Sequence, residues 1–174
     1  CVNRWGRVIV TLDAHKDMAM PPLPRLGIML PVERSMRHVT YYGYGPDESY
    51  IDKREHCYVD MFQAEVEDLH ENYIRPQENG SHYHCRYVSL ENEKYRLLAE
   101  ADNYLDFNVS DYTVEELAGK RHNFELEPAS GSLLSLDARM MGIGSNSCGP
   151  DLPEEFLRDE AHTVWKVQLQ IEEL

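Results

Sequence analysis

No run of apolar residues in this chain approaches the length of a membrane span. No charged, apolar and small-residue succession opens it, so nothing in it reads as a secretion signal. Basic residues are scarce: 17 lysines and arginines stand against 31 aspartates and glutamates, giving a net charge of −14. That balance excludes nucleic acid as a partner, since phosphates call for a basic surface. It excludes an anionic membrane surface for the same reason. Cysteine is thin and scattered, at positions 1, 57, 85 and 148, with no C-x-x-C pair. Neither a zinc ribbon nor a disulfide framework follows from that spacing. The four are read as reduced thiols, and a cytoplasmic location is expected. Internal repeats, low-complexity tracts and linkers are missing, as are a phosphate-cradling glycine loop and a Ser-His-Asp arrangement. The first residue is Cys1, so the chain is expected to be processed or cut from something longer.

What is present suits a globular fold. The chain has 174 residues, 42% of them hydrophobic, enough for one domain over 1–174 with a sizeable core. Alternating or β-favouring segments at 7–13, 26–30, 38–44, 58–62 and 83–90 predict strands. Others follow at 95–99, 105–109, 124–127 and 133–140. The cleanest pattern is the last: Trp165, Val167, Leu169 and Ile171 alternate with polar residues, as in an antiparallel strand with one wet face. Asn79-Gly80 reads as a hairpin-type turn. Thr113, followed by Glu116 three residues on, is a capping box for one short helix ending near Gly119. About eight to ten short strands separated by turns predict an all-β antiparallel sandwich or barrel.

Several clusters invite chemistry. Asp47, Glu48 and Asp52 crowd together, and paired carboxylates are what glycoside hydrolysis needs; a capped turn accounts for them better. His82 and His84 would share a strand face, with Cys85 pointing away. No third ligand sits at a metal spacing, so a solvated strand face is expected and no metal. Residues 136–150 run from a strand into a loop with glycines at 142, 144 and 149. Asn146, Ser147 and Cys148 lie at its tip, where a β scaffold carries function. Cys148 as a nucleophile would need a base beside it, and His162 is the nearest histidine in sequence. The sequons Asn79-Gly80-Ser81 and Asn108-Val109-Ser110 are treated as chance.

Four blocks in order carry a resemblance. Tyr42-Gly43-Tyr44-Gly45-Pro46-Asp47-Glu48-Ser49-Tyr50-Ile51-Asp52-Lys53 is similar to a Gly-x-Gly-Pro-x-Glu-x-Tyr-x-Asp-Arg block, with Lys53 where Arg is usual. Pro76-Gln77-Glu78-Asn79-Gly80 is the second. Phe107-Asn108-Val109-Ser110-Asp111-Tyr112, with Glu116, Leu117 and His122 beyond it, is the third. The loop stretch from Asp137 to Pro150 is the fourth. Together they resemble the C-terminal domain of the large bacterial β-galactosidases of glycoside hydrolase family two. The resemblance implies part of a large sandwich of the galactose-mutarotase type, with its early strands missing. It implies that the two catalytic glutamates belong to a separate barrel domain and that Asp47, Glu48 and Asp52 are structural. It implies a bacterial cytoplasmic enzyme acting on terminal β-galactosides, with no cofactor in this piece and oligomerisation left open. It also implies that the loop reaches the active-site mouth, where one branch has Trp at the position of Cys148; Asn146 and Ser147 are the alternative sugar contacts. The rival expectation is a stand-alone carbohydrate-binding or mutarotase-like module using His56, His82 and His84.

Overall fold

The computed structural model describes residues 1–4, 6–144, 151–157 and 159–174. Asn146, Ser147 and Cys148 lie outside the described residues. Eight antiparallel strands dominate: β1 (Val8–His15), β2 (Arg25–Val32), β3 (His38–Gly45), β4 (Tyr58–Glu65), β5 (His82–Glu91), β6 (Tyr95–Ser110), β7 (Ser132–Met140) and β8 (His162–Glu173). One short helix, α1 (Val114–Gly119), joins β6 to β7. The expected all-β antiparallel fold is what the chain adopts. Hydrogen bonding links all eight strands into one sheet, in the order β1-β8-β6-β5-β3-β4, with β7 on β6 and β2 on β7.

The sheet turns on β6. The segments expected at 95–99 and 105–109 are one continuous strand. Its first half, from Tyr95 to Ala101, pairs with β8; its second half, from Asp106 to Ser110, pairs with β7. Both halves pair with β5 on the other side. The polar residues Asp102 and Asn103, which break the apolar pattern, sit where the partner changes. The sheet therefore forks there. One ribbon continues as β8–β1 and the other as β7–β2.

Alternation explains the core. Val39 and Tyr41 of β3, Val88 and Leu90 of β5, and Phe107 and Val109 of β6 face inward and are buried. Leu134 and Leu136 of β7 and Val167 of β8 join the same cluster. Burying aliphatic and aromatic side chains of this size stabilises the fold by about 1.5–3 kcal/mol each. In β8 the predicted face holds at Trp165 and Val167, while Ile171, beyond the core, is exposed.

Four local expectations are corrected. Residues 124–127 do not form a strand; Asn123–Glu125 is a 3-10 turn capped by the Glu125 carboxylate on the backbone of Arg121 and His122. Asn79-Gly80 is no hairpin turn, because β4 and β5 both pair with β3 rather than with each other. Only half of the capping box forms: Thr113 Oγ1 accepts from Glu116 N–H at 3.1 Å, while the Glu116 carboxylate accepts from Glu127 N–H. The fourth concerns 82–85. A bulge interrupts β5 there, with register shifts on both sides of Cys85. His82 and Cys85 both point inward and are buried, and His84 faces out with φ +58°. The extra residue reverses the alternation that placed His82 beside His84.

Candidate functional site

The fork opens a cleft of about 420 Å³. Tyr83 and His84 enter it from β5, Tyr104 and Asp106 from β6, Arg139 from β7 and His162 from β8. The backbone groups freed where strands part company are not wasted. Asp106 Oδ1 accepts from His84 N–H at 2.8 Å and Oδ2 from Met140 N–H at 3.1 Å. Trp165 Nε1–H donates to the Tyr104 carbonyl at 3.3 Å. A buried carboxylate and an indole thus cap polar atoms that a continuous ladder would have paired. A positive φ at a residue bearing a Cβ costs of order 1–3 kcal/mol. The bulge keeps His84 there, against the Tyr104 ring at 3.4 Å between centroids. Arg86 lies over the same ring, 4.2 Å from its centroid. Arg54 covers the Tyr83 ring at 4.9 Å. The cleft is thus walled by aromatic rings packed against imidazole and guanidinium groups, with a carboxylate beside them.

The stem of the 145–150 segment stands next to this cleft. Ile51, a neighbour of Asp52, lines the cleft. Asp52 accepts from Ile143 N–H at 3.0 Å and from Gly144 N–H at 2.9 Å, one with each oxygen. A Cβ at Gly142 would lie 2.6 Å from the Asp52 carboxyl carbon, so a side chain there would push that carboxylate away from the stem. Gly144 has φ +78°. Gly142 N–H donates to the Phe156 carbonyl at 3.0 Å, tying down the far side.

Glu48 is the anchor of the opposite turn, which follows the cis Gly45–Pro46 peptide. Its carboxylate is buried and accepts from four donors. Lys53 Nζ approaches at 2.5 Å and Gly80 N–H at 2.7 Å. Tyr50 OH stands at 3.3 Å, and Tyr73 OH completes the set. Burial alone would raise its pKa; the donors from Lys53, Tyr73 and Gly80 overcome that and hold it below the usual range. Lysine in place of arginine fits, because the ammonium makes a point contact with one oxygen and shares Tyr73 OH at 2.9 Å. Asn108 Nδ2–H donates to the Asn79 carbonyl at 2.6 Å. Arg25 joins Asp137 to Glu78, with 2.5 Å from Nη2 to Asp137 Oδ2. The four sequence blocks are therefore one interlocked assembly: Glu48 meets Gly80, Asn79 meets Asn108, and Asp52 meets the stem that follows Asp137.

The structure separates the other candidates. His82 is stacked on Phe107 at 4.9 Å and tilted against Tyr41 at 4.5 Å, inside the core. His56 is exposed on the turn before β4. The histidines of a mutarotase-like grip are not brought together. The buried carboxylates among the described residues, Glu48, Asp106 and Asp137, are all engaged by named donors. Asn79 and Asn108 are buried too, which closes both sequons. Sequence reasoning missed the cleft, because its walls depend on where β6 changes partners.

Fold and site define an antiparallel all-β domain with a polar, aromatic-lined cleft at a strand fork. Residues 1–170 match the family described as β-galactosidase small chain, and the chain belongs to it. It is 40% identical over 151 residues to a β-galactosidase of Actinobacillus pleuropneumoniae, covering 87% of this chain and 15% of that one. Over 169 residues it is 38% identical to a β-galactosidase of Staphylococcus xylosus, covering 97% and 17%. An Arthrobacter β-galactosidase is 34% identical over 167 residues, 92% of this chain and 16% of its own. The chain thus spans about a sixth of the length of these relatives. No helix among the described residues is long and apolar enough to cross a membrane.

Proposed function

We propose that this domain is a non-catalytic wall of a β-galactosidase, packing on the catalytic barrel and shaping the mouth of its pocket. The intact enzyme would release terminal β-galactose with retention, using carboxylates about 5–5.5 Å apart on another domain. The observation that carries the reading is the stem at Ile143 and Gly144, bolted by Asp52 beside the aromatic cleft. A stem held by two hydrogen bonds suits a contact of Asn146, Ser147 and Cys148 with the sugar beyond the galactose. The engagement of every buried carboxylate by structural donors supports leaving the bond-breaking acids elsewhere.

The test is made in a whole β-galactosidase carrying this domain. Cys148→Trp supplies a stacking face and is expected to favour a sugar acceptor by about 1 kcal/mol, several-fold in transfer over hydrolysis. Asp52→Ala releases the stem and is expected to raise KM for the acceptor while leaving hydrolysis of a small aryl galactoside nearly unchanged. Unaltered acceptor partition in both variants would refute the wall. So would cleavage of a chromogenic galactoside by the purified 174-residue chain alone.

A further inference from the structure

At the outer end of the β1–β8 ribbon, three ligand-type side chains from distant parts of the sequence face one another. His15 and His162 are direct cross-strand partners, and Asp13 stands two residues before His15 on the same face. The two imidazoles stack 4.0 Å apart, only 6° from parallel. Both present Nε2 to a single oxygen: Asp13 Oδ1 is 2.8 Å from His162 and 3.6 Å from His15. The three ligand atoms lie within 4.8 Å of one another. Asp13 and His162 are 149 positions apart in sequence, which is why no spacing rule finds them.

We propose that Asp13, His15 and His162 form a binding site for a borderline divalent cation of the zinc class. Two imidazole nitrogens and one carboxylate oxygen are a donor set that zinc accepts, with water in the fourth position. Tetrahedral bonds of about 2.0–2.1 Å require ligand atoms roughly 3.3 Å apart. The observed separations close to that by rotation about the soft terminal torsions of the two exposed rings, which also breaks their stack. The backbone beneath is already fixed. Lys16 N–H donates to the Ala161 carbonyl at 2.9 Å, shutting the ribbon just past the site. Lys16 is engaged by Asp159, which keeps its ammonium off the donors.

The site has a use. Among the described residues β1 lies at the edge of the sheet, paired along its length with β8 and bridged on its other side only at Val8 and Ile9, by Val2 and Cys1. An ion held by His15 and Asp13 on one strand and His162 on the other clasps that edge to the sheet. Stabilisation then follows from preferential binding to the folded state.

Titration of the 174-residue chain, carrying Cys1→Ser to remove an exposed thiol, with zinc chloride tests this by calorimetry. Saturable binding of a single ion is expected, accompanied by a rise in Tm and slower amide exchange in β1. His15→Ala and His162→Ala are each expected to weaken binding by at least about tenfold and to abolish the rise in Tm. All three side chains are exposed, so melting in the presence of EDTA should match the parent and certify folding. Absence of saturable binding, or binding undiminished in both histidine variants, would overturn the proposal.

Discussion

Glu48→Ala is expected to cost this domain about 3–5 kcal/mol, seen as a lower urea midpoint at unchanged slope. The carboxylate is nearly inaccessible, with 3% of its side chain exposed. Its four donors come from three separated segments: Tyr50 and Lys53 in the turn after β3, Tyr73, and the backbone of Gly80. Removal leaves the Lys53 ammonium to find water, which it does, being partly exposed. The Gly80 N–H and the Tyr50 hydroxyl have no such recourse, and a buried donor without a partner costs about 1–3 kcal/mol. Glu48→Gln keeps an acceptor for Gly80 and should lose about half as much. The carboxyl is held below its unfolded pKa, so its contribution is complete above the ordinary glutamate range. It fades as pH falls through the folded value. Equal stability of Glu48→Ala and the parent would show that the turn is held by its apolar contacts alone.

Acid should weaken the domain earlier than that, through His82. Burial pushes its pKa down to about 4, only partly opposed by the Tyr44 carbonyl, 3.4 Å from Nδ1. Nε2 is buried without a hydrogen-bond partner. The ring is therefore kept neutral, with its proton on Nδ1 and its bare nitrogen among apolar groups. An unfolded histidine takes up a proton near 6.5. Between that value and about 4 the unfolded chain binds a proton that the folded chain refuses, so stability falls as pH falls across this window. The full loss amounts to about 3 kcal/mol, complete near pH 4. His82→Phe fills the same slot between Tyr41 and Phe107 and has nothing to titrate. Urea midpoints taken from pH 7 to pH 4 should slope for the parent and flatten for the variant. Parallel slopes would assign the acid sensitivity to other groups.

How much of this was legible beforehand depended on distance along the chain. The alternation at Trp165 and Val167 and the β-branched and aromatic run in β3 report local periodicity, and both strands form as read. The Thr113 cap is equally local. The bulge at His84 escaped because a period of two carries no sign of an inserted residue; φ +58° at a histidine has no compositional mark. Strand β6 looked like two strands because a change of partner at Asp102 and Asn103 is written in polar residues that also write turns. Asn79-Gly80 has turn chemistry, but the acceptor it serves is Glu48, 32 positions away from Gly80. The family resemblance located the four blocks without explaining them; the hydrogen bonds at Glu48, Asn108 and Asp52 do.

A strand that swaps neighbours at its midpoint belongs to two cooperative units. Fraying that starts at the amino-terminal edge can peel β1 from β8, and β8 from the first half of β6. There it meets a boundary, since residues 106–110 keep their pairing with β7 and Phe107 its pairing with β5. Losing β8 would open the part of the core that Trp165 and Val167 cover, while the Asp52-bolted stem follows β7 on the far side of the boundary.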